Sequence, residues 1–166
     1  MTSITEEELK FTFKTGRARK FDEPGIPHPH GWRRVDFIVE EEEITVFIEV
    51  KDYAMEALKE KVIKKKVEKL AKHEFVDTQI VPKARDSYCF QYLMNKISKP
   101  VVYLVVIGLD KKYYDKTIFS VLKDNINKRL LQEAEKPWEK RYIKECFVLP
   151  YYELADIFPN YEVNRI

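Results

Sequence analysis

The sequence predicts an α/β fold, a mixed central sheet of about four to five strands flanked by helices, in one domain spanning 1–166. Three observations lead there. The stretch Val35–Lys51, VDFIVEEEEITVFIEVK, holds two apolar-alternating runs separated by four consecutive glutamates. Four adjacent carboxylates repel each other and stay in water, so the runs read as two strands of a hairpin. Beyond them, stretches with apolar residues at helical spacing alternate with further apolar runs, the order that an α/β sheet requires.

Taken in order, Thr2–Leu9 reads as a helical turn with Ser3 or Thr5 as cap and glutamates in its first turn. Leu9–Thr15 alternates apolar and polar residues and reads as a strand with Leu9, Phe11 and Phe13 on one face. Gly16–Gly31 collects Gly, Pro and charge and is expected to be a loop. His28 and His30 within it lack partner ligands at metal-binding spacing and read as surface residues. After the hairpin, Asp52 is placed to cap a helix in which Met55, Leu58, Val62, Leu70 and Phe75 recur near helical spacing. A second helical stretch covers 84–98, with Tyr88, Tyr92 and Leu93 as candidate core residues. Val101–Leu109 reads as a strand buried on both faces. Asp115–Glu135 returns to helix with the stripe Ile118, Leu122, Ile126 and Leu130, and Pro137 stops it. Arg141–Leu149 is expected as the last strand, followed by a short helical piece over Tyr151–Phe158 and a tail.

Composition narrows the class. An apolar content of 45% with 13% aromatics fits a folded chain with a substantial core. The longest apolar run is too short to cross a bilayer, and no secretory signal pattern precedes the charged N-terminus, so a cytoplasmic protein without membrane contact is expected. Cys89 and Cys146 lack zinc-type spacing and read as buried reduced thiols. The net charge of +2 hides segregation. Lys14, Arg17, Arg19 and Lys20 fall in an acid-free segment, and Arg33 and Arg34 sit just before Asp36. Cations flanking a site are what a polyanion such as DNA would need, since phosphate contacts supply most sequence-independent affinity.

The hairpin carries the chemistry. A two-residue turn at Glu41 and Glu42 makes Asp36 and Glu49 diagonal neighbours, and a four-residue loop puts them directly opposite; either way both share a sheet face with Phe47 and Lys51. Val46, Ile48 and Val50 point to the other face. Two converging carboxylates attract a hard divalent cation, and an ammonium two residues from the second can orient a water or stabilise charge on a phosphoryl oxygen. These are the parts for metal-assisted phosphodiester hydrolysis.

An Asp on one strand, followed after a hairpin by Glu-x-Lys on the next, resembles the PD-(D/E)XK nuclease superfamily of restriction endonucleases, Holliday junction resolvases and repair exonucleases. The matching residues are Asp36, Glu49 and Lys51, with Val50 between, and Val35 stands where many members have proline. The resemblance implies a restriction endonuclease-like core and DNA as substrate, cut through a metal-activated water. It implies Mg2+ or Mn2+ held by Asp36, Glu49 and the Val50 carbonyl, with Lys51 positioning the attacking water. Many members add an N-terminal glutamate, for which Glu6, Glu7 and Glu8 are equal candidates. Members that form homodimers make a dimer an expectation here. The competing expectation is a catalytically silent nucleic-acid-binding or assembly module that keeps the fold.

Overall fold

The computed structural model describes residues 1–25, 31–54, 59–131 and 138–166. The chain opens with strands rather than a helix. β1 (Thr2–Glu6) and β2 (Leu9–Phe13) form an antiparallel hairpin paired Glu6 to Leu9, with Glu7 turning at φ +52°. Thr2, Ile4 and Thr5 are β-branched and fit a pleated edge, which outweighs the capping signal at Ser3 and Thr5. Leu9, Phe11 and Phe13 share the buried face as expected.

The supposed Gly16–Gly31 loop contains β3 (Arg17–Lys20), which pairs antiparallel with β4 (Phe37–Glu40). Its sequence, RARK, has no apolar alternation, so pairing with β4 and not propensity makes it a strand. β5 (Thr45–Asp52) follows β4 through a four-residue loop, with Glu40 opposite Thr45 and the Glu41 N–H bonded to the Ile44 carbonyl. His28 and His30 lie outside the described residues.

Between β5 and the next strand run α1 (Glu60–Leu70) and α2 (Val81–Leu93), the latter continuous with a short turn at His73–Phe75 and a π-helical turn at Val76–Ile80. Pro82 has no amide to give and its ring crowds the preceding turn, which the wider π-turn accommodates. α1 buries Ile63, Val67 and Leu70, whereas Val62 is exposed. Tyr92 and Leu93, expected in the core, are exposed, because α2 turns Ala84, Ser87 and Gln91 inward instead. Met55 and Leu58 lie outside the described residues.

β6 (Val101–Gly108) is buried along its whole length and parallel to β5. α3 (Lys116–Leu131) packs through Phe119, Leu122, Ile126 and Leu130. β7 (Glu145–Pro150) begins four residues later than expected and lies parallel to β6. After a 3-10 turn at Tyr151–Glu153 and α4 (Leu154–Ile157), the expected tail is a strand, β8 (Tyr161–Arg165), on the outer edge of β2.

The protein is therefore α/β, with a mixed five-stranded sheet ordered β3-β4-β5-β6-β7 and a three-stranded sheet ordered β1-β2-β8. One face of the large sheet, with Ile38, Phe47, Tyr103 and Val105, packs under α1, α2 and α3. The other, with Phe37, Val39, Ile48, Leu104 and Val106, packs on Leu9, Phe11, Phe13 and Tyr161 of the small sheet. Asp52 Oδ1 accepts the Ala54 N–H at 3.1 Å, but the helix described after it starts at Glu60 behind Lys59. The buried Asp52 carboxylate takes both Nη atoms of Arg165 at 2.9 and 2.8 Å, tying β8 to the end of β5. Gly108 lies opposite Asp52, and a Cβ there would meet the Asp52 carboxylate and its Cα at 3.0 Å. Cys146 is buried and Cys89 exposed. Among the described residues, no helix is long and apolar enough to cross a membrane.

Candidate active site

The four-residue loop sets the register so that Asp36, one residue before β4, stands directly opposite Glu49. Both share the helix-side face of the sheet with Phe47 and Lys51, and both are buried, at 4% and 0% exposure. Lys51 Nζ lies 2.7 Å from Glu49 Oε1. The three residues singled out from the sequence thus come together.

A fourth joins them. Lys83, in the first turn of α2, places one ammonium 2.9 Å from Asp36 Oδ1 and 2.7 Å from Glu49 Oε1. Nothing near Lys83 marks it in a lysine-rich chain, but its helix carries a periodic signal. Lys83, Ser87 and Gln91 recur every fourth residue, on one face of α2. All three meet the β3–β4 side of the sheet: Lys83 at Asp36, Ser87 Oγ accepting the Val35 N–H at 2.9 Å, and Gln91 Oε1 accepting from Arg19 Nη2 at 3.1 Å.

The β4–β5 ladder opens at this point. Hydrogen-bonded pairs fall at odd residues of β4, as fixed by Glu41 and Ile44, so the next pair would be Val35 with Val50. Neither amide makes that bond. The Val50 N–H donates to Asp36 Oδ2 at 2.6 Å, and the Val35 N–H goes to Ser87. Since a residue's N–H and C=O point to the same neighbour in an antiparallel ladder, the Val50 carbonyl faces the gap beside Asp36.

Electrostatically the site is tense. Burial, and then the neighbouring Asp36 charge, push the Glu49 carboxyl up to about 7, although Lys51 and Lys83 pull it down. Burial opposes the charge on Lys83, but Glu49 and Asp36 outweigh it and hold its ammonium above the ordinary value. Both lysine ammoniums reach the same oxygen, Glu49 Oε1, and among the described residues Oε2 has no hydrogen-bond partner. A fully buried carboxylate with one oxygen unbonded has spare acceptor capacity there.

Glu6, Asp22 and Asp36 also bring one carboxylate oxygen each within 4.8 Å of one another, a group able to hold a metal ion. Of the three N-terminal glutamates, Glu6 is the one in this group, while Glu7 lies close enough to Lys51 to interact with its charge. The Glu6 partner Lys20 lies 2.9 Å away, while Glu7 accepts the Asp52 N–H and Glu8 pairs with Arg165. Asp22 was not singled out from the sequence; it sits just past β3 in the charged segment.

The basic residues do not form one surface. Lys14 belongs to the small-sheet side, 2.5 Å from Glu162. Arg19 lies on the helix side over the Phe21 ring, and Lys20 alternates to the opposite face. Arg34 sits 6.0 Å over the same ring. The Arg17 and Arg33 side chains are exposed.

The chain matches no family model, no curated protein and no solved structure.

Proposed function

We propose that this chain is a divalent-metal-dependent nuclease with a restriction endonuclease-like core, hydrolysing DNA phosphodiester bonds at Asp36, Glu49 and Lys51. The observation that carries the reading is the buried carboxylate pair facing across an opened ladder, with an oxygen-rich gap and a lysine beside it. Asp36, Glu49 and the Val50 carbonyl would hold Mg2+ or Mn2+, hard cations that suit such oxygen donors, and the unbonded Glu49 Oε2 fits that role. When bound, the cation supplies Lewis acidity toward phosphate and water.

The chain's own groups do the rest. Lys51 keeps 20% of its side chain in solvent, so its ammonium can meet a substrate while anchored on Glu49. There it orients the attacking water and offsets negative charge growing on the phosphoryl oxygens. The exposed Arg17 and Arg33 supply phosphate contacts that position DNA. One site cuts one strand, so cutting both strands of a duplex calls for a homodimer or two encounters.

The test is incubation with branched, single-stranded and duplex DNA in Mg2+. Wild type is expected to cut at least one substrate, with Asp36→Ala and Lys51→Ala slower by a factor of about 100 or more. Equal cutting by the variants would remove the site. The silent-module reading has one observation in its favour, since the Lys83 ammonium bridges both carboxylates and offsets their charge. It predicts salt-sensitive DNA binding and no cleavage in any divalent metal.

A further inference from the structure

We propose that Lys83 is a built-in counter-cation that occupies the carboxylate pair in the metal-free protein and withdraws when a divalent ion binds, so that metal loading is an exchange of one cation for another. This rests on the metal-site reading given above.

Three observations carry it. First, Lys83 bridges the two carboxylates, at 2.9 Å from Asp36 and 2.7 Å from Glu49, and these are the oxygens a divalent ion would need. Lys51 is different, since among the described residues it forms an ion pair with Glu49 alone. Two carboxylates at 4% and 0% exposure would repel strongly without a cation between them, and the bridging ammonium supplies one. Second, that neutralisation is incomplete. Both lysines crowd onto Glu49 Oε1 while Oε2 has no hydrogen bond among the described residues, so an ion binding tightly to oxygen would satisfy what the ammonium leaves open. Third, Lys83 has somewhere to go. It stands in the first turn of α2, with 20% of its side chain already in solvent and a flexible four-carbon stem. A divalent ion between the two carboxylates would take the place of an ammonium that bridges both and be repelled by it, whereas Lys51, paired with Glu49, stands to one side and can stay.

The arrangement makes Lys83 a positioning residue. It keeps the carboxylates together before metal arrives, and it lowers metal affinity by the work of displacing it. Removing its charge therefore has two opposite effects that a purely structural lysine would not combine.

The experiment compares wild type, Lys83→Met and Lys83→Arg by calorimetric titration with Mn2+ alone and by thermal unfolding in chelator. Lys83→Met is expected to bind Mn2+ at least tenfold tighter than wild type while melting at a lower temperature without metal. Lys83→Arg, which keeps the charge, should not gain affinity. Equal or weaker Mn2+ binding by Lys83→Met, with binding in wild type lost in Asp36→Ala, overturns the exchange and leaves the metal site standing. Absence of Mn2+ binding in both wild type and Lys83→Met overturns the metal site and the exchange together. Should Lys83→Met not fold, the wild type decides: Mn2+ should raise the rate of Lys83 acylation, read by mass spectrometry, and an unchanged or lower rate overturns the proposal.

Discussion

At the scale of single residues, Glu49 is where burial and function pull against each other. Its carboxyl is fully buried and titrates at about 7 in the folded chain, against 4.5 for the ordinary side chain. The folded state thus holds this proton more tightly than the unfolded one, and between those two values it binds more protons. Stability from this group is present below the lower value and falls as pH rises toward the upper, by about 3 kcal/mol in all. Chemical denaturation in chelator across that pH window should show the decline. Glu49→Gln, which cannot titrate, should flatten it. A wild-type profile without that slope would mean that Lys51 and Lys83 compensate the charge more fully than burial penalises it.

Among elements, the joint between the β4–β5 hairpin and α2 decides whether the site is open. Ser87 draws the Val35 amide out of the ladder, and Asp36 takes the Val50 amide, so the last hydrogen-bonded pair is missing where the carboxylates meet. Ser87→Ala leaves the buried Val35 amide without that partner and should cost about 1–3 kcal/mol in equilibrium unfolding. A loss below about 0.5 kcal/mol would show that the ladder re-closes through Val35 and Val50 at little cost.

The hairpin was legible in the sequence because its signals are local. Alternation put Asp36, Phe47, Glu49 and Lys51 on one face, four glutamates marked the loop, and an even loop length kept Asp36 and Glu49 together on that face, while the register that sets them directly opposite came from the structure. Lys83 was not, because it arrives from a helix 47 residues away from Asp36 and only the packing of α2 on the sheet brings it in. The stripe of Lys83, Ser87 and Gln91 was the trace it left. β1, β3 and β8 were also missed, for a related reason. β3 owes its state to β4, and β1 and β8 to β2, whereas their own sequences are polar or charged enough to pass for turn, loop and tail.

For the molecule as a whole, the layers explain why the site sits where it does. Helices cover one face of the central sheet and the small sheet covers the other, so the interior is apolar on both sides. Among the described residues the buried acids gather toward the end of β5, where Asp36 and Glu49 meet Lys51 and Lys83 and where Asp52 binds Arg165 from the last strand. That second ion pair locks the C-terminal strand against β5. The first is charged, under-bonded and partly open, as the proposed metal site requires.

The most direct measurement is the anomalous scattering of manganese in a crystal of wild-type protein soaked in Mn2+. The account predicts a peak bridging Asp36 and Glu49 and in contact with the Val50 carbonyl, with the Lys83 ammonium turned away. No peak there, with Lys83 still bridging the two carboxylates, or a peak held by Glu6 and Asp22 without Glu49, would contradict it.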